Sequence, residues 1–174
     1  LPKIANGQLR GGIGMSTQNV GSDVLATENK AYREGDHWIL NGNNQYVTSF
    51  DGDVFLVYAR TGTGEKDISA FIVESTFQGF SRGKKERKMG MRASPTGTLY
   101  YQNCKVPLEN LVGKENGAVY SMMRNLEIER VTLAAISTGI ALSCLKEMLE
   151  YAQQRVAFGQ PIIEHQQVGA ILIA

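Results

Sequence analysis

Cysteine is scarce in this chain of 174 residues, with only Cys104 and Cys144 present. Two thiols so far apart form neither a disulfide scaffold nor a zinc-ligand pattern, and a reducing intracellular setting is expected. Histidine is equally sparse: His37 and His165 alone give a histidine-based metal centre no support. No charge of one sign dominates. Eighteen Lys and Arg against 17 Asp and Glu leave +1, which removes a global electrostatic case for nucleic acid or anionic lipid as the main partner. No uninterrupted apolar run reaches the roughly 18 residues that span a bilayer. An initiator Met, a signal peptide and a transit segment are all missing before Leu1, and the chain stops in the apolar run 169–174. An internal piece of a longer protein is therefore expected.

What is present divides into two grammars. Fourteen of the 19 glycines precede Asn110, among short apolar runs separated by turn residues. Residues 31–33 and 37–40 around Glu34, Gly35 and Asp36 read as a tight hairpin, followed by a turn at Asn41, Gly42 and Asn43. Residues 54–59 are rich in β-formers and pair with 68–73 across the loop 61–64. Segments 98–101 and 104–107 complete a set of short strands with Gly-rich turns, which indicates a small barrel or sandwich.

Beyond Asn110 the pattern is helical. No Pro lies between Pro107 and Pro161, and Gly139 is the only Gly from Ala118 to Phe158. Asn116 is placed to cap the helix N-terminus. At 100° per residue Val119, Met122, Leu126, Leu133, Ile136, Ile140 and Cys144 share one face. A helix of that length, about 60 Å, needs partner helices. Glu129 and Arg130 lie within the apolar stripe. A carboxylate on a buried face loses hydration and becomes a stronger base once placed. On the pattern alone, a partly buried salt bridge with Arg130 or with another helix explains Glu129 equally well.

The remaining motifs are individually weak. Gly11, Gly12 and Gly14 lack the G-x-G-x-x-G spacing, and nothing localises a Ser-His-Asp arrangement. The basic cluster Arg82, Lys84, Lys85, Arg87 and Lys88 reads first as a solvated loop or guarded edge strand, and only second as an anion site. The loop 15–23 offers backbone N–H groups and hydroxyls to a polar ligand. At the helix end, Arg155 complements the dipole and Gly159 can act as C′.

In this order, however, the segments Met15-Ser-x-x-Asn-x-Gly-Ser-Asp23, Leu40-Asn-Gly-Asn43 with Tyr46-Val-Thr48, and Lys88-Met-Gly-Met-Arg92 resemble the acyl-CoA dehydrogenase family. So do Cys104-Lys-Val-Pro107, Glu129-Arg130, and Arg155-x-x-Phe158-Gly159 with His165-Gln166. The resemblance covers nearly the whole chain. It implies an α+β fold in which an antiparallel β-barrel or sandwich middle domain (1–112) precedes the start of a C-terminal helical domain (113–174). The first long helix of that bundle would run from about 117 to 156, and a second would begin after 161.

The resemblance also implies FAD as cofactor and an acyl-CoA thioester as substrate, dehydrogenated between its α and β carbons. Ile13, Met15, Ser16 and Ser22 match the first flavin loop, with Ser22 nearer the thioester. Tyr46, Val47 and Thr48 match the second flavin segment, in which an aromatic packs on the ring and a Thr hydroxyl reaches N5. Arg155 matches a ligand of the FAD pyrophosphate across a subunit interface, with Phe158 and Gln166 as further contacts. Glu129 matches the catalytic base of some members, whereas others place it in a later segment. Tyr120, Glu127, Ile128, Arg130 and Leu133 match substrate-side positions, and Leu133 would favour a short branched acyl chain. An electron-transfer flavoprotein as acceptor, a homodimer or homotetramer, and a mitochondrial matrix or bacterial cytoplasmic setting follow as expectations, and the chain alone is expected to be inactive. Several residues depart from the family pattern. Thr17-Gln18 replaces Glu-Pro, Tyr46 replaces Trp, and Phe50 replaces a Gly and is expected to disturb its turn. A flavin-free β-domain module whose amphipathic helix docks on a partner remains the alternative of a different class.

Overall fold

The computed structural model describes residues 2–173. Leu1 and Ala174, the two ends on which a longer chain was inferred, lie outside the described residues. The chain divides between Met122 and Met123 into two compact units.

The first unit opens with a short helix, α1 (Pro2–Ala5), and then eight strands: β1 (Gly11–Gly14), β2 (Lys30–Glu34), β3 (His37–Thr48), β4 (Val54–Arg60), β5 (Ile68–Glu74), β6 (Phe80–Lys85), β7 (Thr96–Pro107) and β8 (Leu111–Val112). They form one sheet in the order β6-β7-β3-β2-β4-β5-β8, with β1 beside β4. Most pairs are antiparallel, as expected, but β1 lies parallel to β4 and β2 meets β4 in parallel at Lys30 and Arg60. The sheet curls on itself. Phe55 of β4 stacks on Phe80 of β6 at 5.5 Å, although four strand steps of about 4.8 Å would hold them roughly 19 Å apart in a flat sheet. Trp38 of β3 meets Phe71 of β5 edge-on at 5.2 Å. The curl encloses the core: Trp38, Leu40, Val57, Phe71, Val73, Leu99, Cys104 and Val106 are all buried.

The β2–β3 hairpin turns at Gly35 with φ +60, and β4–β5 pair over their whole length from Val54↔Glu74 to Arg60↔Ile68, both as expected. The turn expected at Asn41–Asn43 is absent, because β3 runs through it to Thr48. Gly42 is there for close approach instead: a Cβ would collide with the Asn29 side chain. The two short strands expected at 98–101 and 104–107 are one continuous strand, β7, which passes Asn103 at φ +48. Phe50 does not disturb its turn. Its ring packs so closely on Gly97 that a Cβ there would meet it at 2.5 Å, and Arg82 donates to the Phe50 and Gly52 carbonyls at 2.9 and 2.5 Å. Arg82, Lys84 and Lys85 lie on β6, an edge strand of the sheet, where charge guards against edge-to-edge pairing.

The long helix α2 spans Ala118–Gln154. Asn116 does not cap it. It sits at φ +60, and its Oδ1 accepts the Thr61 hydroxyl at 2.6 Å while its N–H donates to Ser69 at 2.8 Å. In the second unit, Gly159 is not the helix C′ residue. The chain leaves α2 through a two-stranded hairpin of β9 (Val156–Ala157) and β10 (Gln160–Pro161), and α3 (Gln166–Ile173) follows a single 3-10 turn. Phe158 at φ +53 and Gly159 at φ +82 form its two-residue turn, the positive-φ pair that hairpins favour.

Candidate functional site

The expected site residues fall in both units, and each group is described within its own. In the first unit, β1 lies against β3 because glycine permits it. A Cβ on Gly12 would sit 2.7 Å from the Thr48 carbonyl, and one on Gly14 2.5 Å from Asn44 Oδ1. The loop after β1 is joined to β3 by the Ser16 carbonyl, which accepts the Gln45 N–H at 2.9 Å and the Asn44 amide at 3.1 Å. This junction brings Ser16 next to Tyr46 and Thr48, segments 30 positions apart in the chain.

At the same point β3 bulges. Its register against β7 shifts between Asn44 and Val47, and Tyr46 takes φ +56, a conformation that costs an aromatic residue energy. Bulges re-aim side chains. Here Tyr46 is 68% exposed and Thr48 is also exposed, while Val47 turns into the core at 2%. Val47 therefore has only its backbone to offer a ligand. Met15 is half-buried and Ser22 exposed. Ile13 is not gathered with these groups: it alternates away from Gly12 and Gly14 and lines an open apolar groove of about 1030 Å³ with Ile4, Leu9, Leu56 and Ile72.

Sequence reading did not identify Glu28, which ties the first loop together. Its carboxylate accepts the Thr17 hydroxyl at 3.1 Å and the Asn19 amide at 2.8 Å. Those bonds, Asn19's first, hold its pKa below the usual value. Thr17, one of the departures from the family pattern, thus has a defined task. Tyr120, in the opening turns of α2, is 79% exposed.

In the second unit the expected desolvation of Glu129 is not found within this chain. Glu129 is exposed, as are Glu127, Ile128, Arg130 and Leu133, and the apolar stripe around it is open: Leu133 at 61%, Ile136 at 54% and Ile140 at 61%. A salt bridge between Glu129 and Arg130 is not found either, since no ion pair among the described residues involves them. On a regular helix Glu129 and Leu133 share a side, Ile128 and Arg130 stand about a quarter-turn away on either hand, and Glu127 points to the opposite side. By length and composition alone, α2 could cross a membrane. Three of its hydroxyls are satisfied within the helix: Thr132, Ser137 and Thr138 donate to carbonyls four residues earlier at 2.9–3.0 Å.

At the hairpin tip Phe158 is 98% exposed on strained backbone, with His165 edge-on at 6.0 Å. His165 Nε2 lies 3.1 Å from the Ala157 carbonyl and braces the tip. Arg155 and Gln166 are exposed, and the Arg155 guanidinium has no hydrogen bond or ion pair among the described residues.

Comparison with known proteins accounts for both units. Residues 12–104 match the family model described as acyl-CoA dehydrogenase, middle domain, and residues 116–173 match the acyl-CoA dehydrogenase C-terminal domain. The mitochondrial isovaleryl-CoA dehydrogenase of Pongo abelii is 43% identical over 93% of this chain and 40% of its own length. The crystal structure of acyl-CoA dehydrogenase from Geobacillus kaustophilus superposes with a TM-score of 0.95 at 33% identity, covering 99% of this chain and 47% of that one. An acyl-CoA dehydrogenase from Bacillus anthracis, solved in complex with FAD, superposes at 0.92 with 34% identity over 99% of this chain and 30% of that one. The chain spans about two fifths of the length of the curated relatives it matches. With a β unit and a helical unit that each answer to one of its domain models, the chain belongs to the acyl-CoA dehydrogenase family.

Proposed function

We propose that the chain forms the middle β domain and the first C-terminal helix of an FAD-dependent acyl-CoA dehydrogenase. The observation that carries this reading is the Ser16–Gln45 junction, which sets two exposed groups, the Tyr46 ring and the Thr48 hydroxyl, beside a hydroxyl-bearing loop. A planar heteroaromatic ring with a hydrogen-bonding edge fits that donor set. The unengaged planar guanidinium of Arg155 and the bare Phe158 ring fit the diphosphate and adenine end of the same cofactor. FAD, when bound, supplies the acceptor for the hydride from the β carbon.

The chain's own residues supply the rest. Ser16, Tyr46 and Thr48 orient the ring, and Ser22 lines the approach of the thioester. Glu129 receives the α-proton on its carboxylate. Such a proton is too weakly acidic for a hydrated carboxylate, so the base works once further helices cover the apolar face on which it stands. Leu133, on the Glu129 side, bounds the acyl end. Together with the likeness to isovaleryl-CoA dehydrogenase, this supports a short branched acyl chain. Tyr120, Glu127, Ile128 and Arg130 hold other parts of the substrate. An electron-transfer flavoprotein takes the electrons onward, a homo-oligomer completes the Arg155 contact, and the setting is the mitochondrial matrix or the bacterial cytoplasm.

The test is reconstitution of the complete protein with FAD, followed by isovaleryl-CoA. A flavin that stays bound through gel filtration and an enoyl-CoA product seen by mass spectrometry are expected. A protein that stays colourless in excess FAD points instead to a flavin-free module.

A further inference from the structure

Asn44 is completely buried, at 0% exposure, and touches no surface a ligand could reach. Its amide is nevertheless held at both its nitrogen and its oxygen. Nδ2 donates to the Ser16 carbonyl at 3.1 Å, and Oδ1 accepts the Tyr101 hydroxyl at 3.0 Å and the Asn29 amide at 3.2 Å. Asn29 is itself held, accepting the Asn43 N–H at 2.9 Å and donating to the Tyr58 carbonyl at 3.3 Å. The orientation of the Asn44 amide is dictated chemically. A carbonyl only accepts, so the amide nitrogen faces Ser16, and the oxygen must then face the two donors. The network joins the loop after β1 to β3, β4 and β7.

We propose that Asn44 is a positioning residue for the flavin edge, fixing the first loop so that Ser16 stands at a set distance from Tyr46 and Thr48. This rests on the flavin role proposed for those three residues. The Ser16 carbonyl has two partners, the Gln45 N–H and the Asn44 amide. Without the second, the carbonyl turns about the first and carries the loop with it. Gly14 belongs to the same device, because a Cβ there would displace the Asn44 side chain. Burial raises the Tyr101 pKa, so its hydroxyl keeps its proton and remains a donor across physiological pH.

The variants are Asn44→Asp, which keeps size and acceptor but puts an oxygen where the donor was, and Tyr101→Phe, which removes only a hydroxyl and serves if the first does not fold. Two readouts apply to the complete protein. Amide hydrogen exchange at Gln45 is expected to quicken about tenfold while Phe55 and Val57 stay protected. In the FAD-loaded form, the rate of flavin reduction by isovaleryl-CoA is expected to fall about tenfold with KM within about twofold, as a small misplacement of a reacting edge requires. Unchanged exchange and reduction in both variants, or exchange that quickens equally across the whole sheet, overturns the positioning role. A wild-type protein that takes up no FAD overturns the flavin reading and this role together. A wild type reduced normally alongside unaffected variants overturns this role alone.

Discussion

Glu28 and Cys104 show how single side chains set the conditions under which the β unit holds its shape. The Glu28 carboxylate is held below its ordinary value of 4.5, first by the Asn19 amide and then by the Thr17 hydroxyl. A depressed carboxylate favours the folded loop above that value, and its support is lost as pH falls through the lower folded pKa. Glu28→Gln is therefore expected to loosen the loop at neutral pH to the extent that acid loosens the wild type, read as faster hydrogen exchange at the Thr17 and Val20 amides, which close the loop turn. Protection equal to wild type at neutral pH would contradict this. Cys104 carries the opposite sign. Burial pushes its thiol from 9.0 up to about 11, so folding favours the neutral form. Stability is full below pH 9 and is lost as pH rises toward 11. Alkaline titration of the melting temperature should show this fall, and Cys104→Ala should flatten it. In thiol-labelling of the folded chain at pH 8, Cys144, which is exposed, should react while Cys104 does not.

Among the elements, the hairpins were legible in the sequence and the close approaches were not. The pairing of β4 with β5 could be read because 54–59 and 68–73 are continuous apolar runs around a Gly-rich loop. β1 could not, because three of its four residues are glycines that carry no pattern. Those glycines matter for what they let near, the Thr48 carbonyl and the Asn44 side chain, and proximity of that kind has no local signature. Phe50 is a similar case. Against the family pattern it looked like a defect, whereas it fills the space above Gly97. Phe50→Ala is expected to cost about 3 kcal/mol, the usual cost of emptying a buried aromatic site, measured by urea denaturation. A loss under 1 kcal/mol would show that the ring is not part of the core. Phe158 illustrates the limit of helix-end rules. Gly159 reads as a helix stop, but it serves the second position of a hairpin turn that holds an aromatic ring in solvent.

For the molecule as a whole, the candidate site was legible as a set of residues but not as an environment. Spacing placed Glu129 among the apolar residues of α2, which is one continuous helix over Ala118–Gln154. Its burial could not be read from spacing: within this chain Leu133, Ile136 and Ile140 are more than half exposed. The chain alone is accordingly expected to give no turnover. In the proposed function Glu129 takes the proton while the residues around Ser16 and Thr48 hold the flavin. Anaerobic titration of the FAD-loaded complete protein with isovaleryl-CoA, wild type beside Glu129→Gln, tests it most directly. The visible flavin band is expected to bleach in the wild type and to persist, with FAD still bound, in the variant. Equal bleaching in both would place the base on another residue and contradict the claim.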